Sequence, residues 1–195
     1  MKLSAICLLL AAAGESVFSE IIPTPKVWEE RFGEEAAKMW SRLSADDEKV
    51  SSEEVIEEFN KRAQSIHDGD GQLNTAWALF NIEDDPIPRL RQMMSDEKPE
   101  NRAFAVMVAG LLGDVRLQKD ISGLKKDSSK LGESPGTWFW YTVSDVAKEA
   151  LGILKDGNLS KALMKQGHRP ASWLKLEEPE KGEQGVPAKS DRAGG

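Results

Sequence analysis

The stretch "ENRAFAVMVAGLLGD", Glu100 to Asp114, decides how this chain folds. Its ten residues from Ala103 to Leu112 are all apolar or glycine, in a chain of which 30% is charged. A bilayer-spanning helix needs about 20 such residues, so a run half that long reads as a helix covered by protein on nearly every side. Charged "ENR" leads into it, and "GD" closes it with a turn suited to glycine. The chain must therefore supply neighbours on more than one flank of this helix.

Those neighbours are legible as repetition. Upstream, "DDPIPRL" starts a helix with an Asp cap and a proline in the first turn, and "SDEKP" breaks it before the apolar run. After Asp114 the pattern starts again. Ile87 and Leu90 align with Ile121 and Leu124 at an offset of 34, and Ala105, Gly110 and Leu112 with Ala147, Gly152 and Leu154 at an offset of 42. The difference is an insertion in "SSKLGESPG", where a loop between helices tolerates extra length. One unit earlier, "NTAWALFNIEDD" reads as a worn copy of the same second helix.

Towards the N-terminus the periodicity stays helical. A helix over Pro25 to Leu43, capped by Thr24, puts Trp28, Phe32, Ala36, Met39 and Leu43 on one stripe. A capping box from Ser51 to Glu54 opens a second, in which Val55, Ile56, Phe59, Ala63 and Ile66 share a face until "HDGDG" stops it. A third, Leu73 to Ile82, carries Ala76, Trp77, Leu79 and Phe80. Alternation with period two is nowhere sustained, so the expected class is all-α.

The lines "AVMVAGLLGD", "VAKEALGILKDG" and "TAWALFNIED" resemble the HEAT-like repeat family, in its short, alanine-rich bacterial type. There the second helices read Ala-x-x-Leu-Gly-x-(Leu/Ile)-Gly-Asp, and the likeness covers about residues 50 to 157. The resemblance implies a right-handed stack of antiparallel helix pairs, an α-solenoid, in which each second helix is buried by its neighbours. A compact helical bundle is the alternative architecture. The resemblance also implies a non-enzymatic protein-binding or scaffolding role, by analogy of fold. Some short HEAT-like proteins are instead lyases that attach tetrapyrrole pigments to other proteins.

The expected organisation is a signal peptide over 1–19, a capping helix over 20–50, HEAT-like repeats over 51–157, a C-terminal capping segment over 158–176 with Trp173 packing back, and a disordered tail over 177–195. Lys2, the apolar core "LSAICLLLAAA" and small Ser19 before Glu20 make the first segment a leader for export to the periplasm or exterior. Its Cys7 is the only cysteine, so the mature chain has no disulfide, thiol nucleophile or cysteine-based metal site. A net charge of −7 argues against nucleic acid or an anionic membrane as partner, although a local basic patch is compatible with that average. The expected partner is a protein of unspecified identity, with membrane contact only through the leader.

Candidate chemistry is sparse. "GESPG", Gly132 to Gly136, has the outline of a nucleophile elbow, with Asp145 or Asp156 and His168 following Ser134 in triad order. It lacks a preceding strand, and Pro135 has no N–H for an oxyanion hole. "HDGDGQLNTAW" weakly resembles the centre of an EF-hand calcium loop over 66–77, with Asp68, Asp70 and Gly71 in place but Ile66 and Trp77 at the end positions. A calcium-responsive module through it is the alternative function. His67 beside Asp68 and His168 in "GHR" read as helix-end and loop residues, so no catalytic residue, metal ligand or cofactor is expected.

The most informative surface feature is "TWFWYTVSD", residues 137–145. If the helix ending at Leu154 extends back through it, Trp140, Ser144, Ala147 and Leu151 face inward, while Trp138 and Tyr141 join Asp145, Lys148 and Glu149 on the polar side. Trp138, Tyr141 and Asp145 are therefore the expected partner-binding residues, because exposed aromatics give large contact area at small entropic cost. The alternative is that the 128–136 loop folds back and covers them.

Overall fold

The structure, a computed structural model, describes residues 25–45, 49–62, 70–132, 142–156 and 158–176. Every regular element among the described residues is helical, so the all-α class holds. In chain order these are α1 (Pro25–Phe32), α2 (Glu34–Leu43), α3 (Ser52–Arg62), α4 (Asp70–Phe80), α5 (Ile87–Met94), α6 (Pro99–Leu112), α7 (Gln118–Gly123), α8 (Val143–Asp156) and α9 (Leu159–Lys165). Short 3₁₀ turns, Val115–Leu117 and Leu124–Lys126, flank α7.

Helix α6 is the quoted stretch, and its local chemistry sets its ends. Pro99 occupies the first turn, where its missing N–H has no intrahelical partner to lose. Gly113 takes a left-handed conformation (φ 74°) and returns its N–H to the Ala109 carbonyl. Between them every residue from Ala103 to Leu112 is buried. The cover comes from α4 on one flank, α8 on the other, and α5 and α9 besides. Close approach of α8 depends on small residues, for a Cβ added to Gly110 would lie 2.8 Å from the Ala150 Cα and carbonyl oxygen.

The neighbouring helices pack in sequence-adjacent pairs: α3 on α4, α5 on α6, α7 on α8, with α5 also touching α7. Positions related by repetition point the same way. Ile87, Leu90 and Ile121 are buried with Leu124 packed against them, and Ala105, Leu112, Ala147 and Leu154 are buried as well. The two aligned glycines differ. Gly110 touches α8, whereas nothing lies within 4 Å of a Cβ built on Gly152.

At the N-terminal end, the predicted single helix from Pro25 to Leu43 is divided. Gly33 (φ 86°) separates α1 from α2, which fold against each other. Trp28 is fully buried, donates its indole N–H to Asn74 Oδ1 at 2.6 Å, and meets Phe59 and Trp77 edge to face at 4.8 and 5.8 Å. Half of the expected capping box exists: the Glu54 N–H donates to Ser51 Oγ, but the Glu54 carboxylate turns to Arg42 instead. Helix α4 begins at Asp70, earlier than expected, and ends at Phe80. Gly71 is thus helical, with Thr75 Oγ1 donating to its carbonyl, where a calcium loop has a sharp turn. Thr24, Ala63, Ile66, His67 and Asp68 lie outside the described residues.

At the other end, α8 begins at Val143, and Thr142 pairs with Lys130 in an isolated antiparallel bridge. The expected backward extension of this helix through Thr142 is not what the backbone does. Beyond α8, Asn158 caps α9 by accepting from the Lys161 N–H at 2.9 Å. Trp173 packs back as expected: it is buried and donates its indole N–H to the Ile82 carbonyl at 2.8 Å. The leader and the tail after Leu176 lie outside the described residues, among which no helix is long and apolar enough to cross a membrane.

The two aligned glycines generate opposite expectations. Gly110→Ala should lower stability by about 1–3 kcal/mol, because backbone atoms of α8 must move. Gly152→Ala should raise it by roughly 0.5–1 kcal/mol through helix propensity alone. Urea denaturation of both variants beside the parent measures the difference, and equal effects would contradict the close α6–α8 contact.

Candidate functional site

Asp145, the one expected partner-binding residue that is described, forms a reciprocal cap at the start of α8. Its Oδ2 accepts from the Thr142 N–H at 3.1 Å and the Thr142 hydroxyl at 2.8 Å, while its own N–H reaches Thr142 Oγ1 at 3.3 Å. This is a capping box, and it stops the helix from running back through Thr142. Trp138 and Tyr141 lie outside the described residues, as do Ser134 and Pro135. The argument that put both aromatics on one helical face with Asp145 required Thr142 to be helical, and it is not.

A cleft of about 650 Å³ opens elsewhere, between the end of α2, the residues leading into α3 and the connection after α4. Val50 and Ile82 form an apolar floor, with Leu43 partly buried beside them. Its polar walls serve the fold. Arg42 makes a two-pronged ion pair with Glu54, Nη2 to Oε2 being 3.2 Å. Asp84 accepts from the Ser52 N–H at 2.7 Å, so a side chain from the far side of the cleft caps α3. Glu83 accepts from the Ser172 N–H and hydroxyl. Lys49 is exposed at the rim. The cleft is open to solvent, with an apolar floor and polar groups at its edge.

Two further polar centres tie distant segments together. Asp114 is fully buried and accepts from the Arg116 N–H, the Arg116 guanidinium and the Lys175 N–H, at 2.9, 2.8 and 2.9 Å. Arg116 also reaches Asp85 and the Trp173 carbonyl, and Asp114 raises its already high pKa. Arg102 spans Asp127 at 2.8 Å, Ser129 Oγ at 2.9 Å and the Asp96 carbonyl at 2.7 Å. Sequence reasoning missed both centres, since the partners that join them to other segments lie 25 to 61 residues apart in the chain.

Among the described residues, the carboxylates whose acidity is perturbed all move in one direction. The Ser52 hydroxyl and N–H hold Asp84 below its ordinary value, the Ser172 hydroxyl and N–H do so for Glu83, and the Lys98 N–H for Asp96. Burial pushes Asp127 and Asp145 upward, but the hydrogen bonds from Arg102 and Ser129, and from Thr142, outweigh it and both end lowered. Such groups are fixed anions at neutral pH, unlike a general acid or base poised near it. Among the described residues no group of three or more His, Cys, Asp or Glu is arranged to hold a metal ion.

Comparison of the chain with family models, curated proteins and solved structures gave no match. The class that fold and site define is an all-α protein with an open cleft between α2, the start of α3 and the connection after α4, and with ion pairs that tie distant segments together.

Asp127 carries a pH-dependent prediction. Its pKa is lowered by folding, so its stabilisation is complete above the unfolded value of about 4 and disappears as pH falls through the folded value. The melting temperature should be flat near neutrality and fall below about pH 4. Asp127→Asn should cost about 1.5–3 kcal/mol at pH 7 and make that acid limb shallower. An unchanged limb in a pH series of melting curves would remove Asp127 from the account.

Proposed function

We propose that this chain is an exported, non-enzymatic protein-binding or scaffolding module whose helix pairs form a HEAT-like stack. The observation that carries the reading is the setting of α6, buried along its length between α4 and α8 while each first helix packs on its own second helix. Side-by-side second helices of that kind are how repeat pairs share one continuous core. The leader over 1–19 supplies the export, and the missing cysteines leave the hydrophobic core as what holds the mature chain.

Two features support binding over catalysis. The perturbed carboxylates are lowered and already hydrogen-bonded, which suits structural anions. A partly apolar cleft and, in the sequence just after the insertion, the aromatic residues Trp138 and Tyr141 suit contact with another protein. In this reading the partner docks at the insertion, Trp138 and Tyr141 supplying contact area.

The test is affinity capture from a cell-envelope extract with the full chain, alongside Trp138→Ala/Tyr141→Ala and, separately, Lys49→Glu at the cleft rim. A partner held by the parent and lost by the folded aromatic variant supports the module and its site. Loss with Lys49→Glu alone moves the site to the cleft. Absence of any specific partner in all three overturns the binding reading. Ser134→Ala should change neither capture nor melting temperature, and an altered value of either would reopen the serine as a functional residue.

A further inference from the structure

The turn at Gly33 separates two helices that the side-chain pattern treats as one. Trp28, Phe32, Ala36 and Met39 follow one another at spacings of four, four and three, the order of a single helical stripe, and all four are buried. A lone residue divides them. Helix α1 ends at Phe32 and α2 begins at Glu34, with Gly33 between them at φ 86° and ψ 179°, a backbone region that only glycine enters at little cost. Helical bonding reaches this residue from both sides, since its N–H donates to the Glu29 carbonyl at 2.9 Å and its carbonyl accepts from the Ala37 N–H at 3.2 Å. The torsions of one residue thus decide between a bent pair and a straight helix.

In the bent form α1 docks on a socket built by α3 and α4. The Trp28 ring lies edge-on to Phe59 at 4.8 Å and to Trp77 at 5.8 Å, its N–H reaches Asn74 Oδ1 at 2.6 Å, and Phe32 meets Phe59 at 5.1 Å. Lys26 spends its charge inside the arm, on Glu30 at 3.7 Å. Trp28 and Phe32 are therefore the anchors that join α1 to the rest of the fold.

We propose that α1 is an exchangeable arm: in a second form of the protein Gly33 turns helical, Pro25 to Leu43 becomes one helix, and the Trp28 of each copy fills the socket of another copy. The occupant is a second copy because the socket is already matched to Trp28 and Phe32, and every copy offers that pair on the same arm. The socket contacts of the bent form are then made again between copies. The two forms differ at the hinge, where the straight helix gains bonds across position 33 and the bent one needs a glycine torsion. Two arms exchanged between two copies close the assembly as a dimer. The exchange stands apart from the binding reading above, because it is a property of the purified chain alone.

Gly33→Ala is the test, because alanine penalises the bent torsions and favours the straight helix at once. A dimer contains two hinges, so a shift of about tenfold at each tightens the dimer Kd about a hundredfold. In sedimentation equilibrium of the full chain, Gly33→Ala should be dimeric at concentrations where the parent is monomeric. Inserting Gly-Gly after position 33 of that variant gives the chain slack to bend again and should return it to monomer. A crystal structure of the dimer should place Trp28 beside Asn74 of the other copy. A Gly33→Ala variant that stays monomeric and is only less stable overturns the proposal, as does a dimer that survives the insertion or keeps each Trp28 in its own socket. If circular dichroism shows that Gly33→Ala does not fold, the parent decides. Refolded from urea at high concentration, it should trap a dimer that dilution releases only as slowly as the chain unfolds, and recovery wholly as monomer overturns the exchange.

Discussion

The contact of α6 with α8 at Gly110 and Ala150 is the constraint on which the rest of the structure depends. A helix apolar on every side cannot stand in water, and it is stable here because α4 and α8 both close on it. Their approach is set by the smallest residues available, with hydrogen at Gly110 where any Cβ would press on the α8 backbone. The same closeness brings Gly113 against Asn158, so the turn that ends α6 and the cap that starts α9 are built together. The helices outside this centre hold their places largely by packing on it or on one another.

Around that apolar centre, the polar groups act as fasteners at the ends of helices. Asp114 has the strongest claim, since a fully buried carboxylate is tolerable only with several donors, and it finds them on Arg116 and Lys175. Through Arg116 it also fixes the Trp173 carbonyl, which helps to seat the Trp173 ring under the α4–α5 connection. Arg102 does the equivalent at the other end of α6, drawing together Asp96, Asp127 and Ser129.

The sequence was a good guide to helices and a poor one to what lies between them. The break at Gly33 is hidden because Trp28, Phe32, Ala36 and Met39 stay in helical register across it, and periodicity registers faces, not bends. The start of α8 was visible in "TVSD", a capping box in plain order, yet the apolar run before it suggested a longer helix. Of the expected site, Asp145 is committed to that cap. The cleft beside Arg42 and Asp84 left no mark in the sequence, because its walls come from segments about 30 to 40 residues apart.

The sequence by itself determined the helical class, the burial of Ala103 to Leu112 and the turn at Gly113. Each of these follows from residues adjacent in the chain, whose periodicity and backbone preferences act locally. Only the tertiary structure decided that Gly110 is confined while its aligned partner Gly152 is free, and that Arg102 and Arg116 pair with acids far along the chain. Those outcomes turn on which distant segments meet across a few ångströms, and steric exclusion and ion pairing at that range depend on distance in space, not on position in the chain.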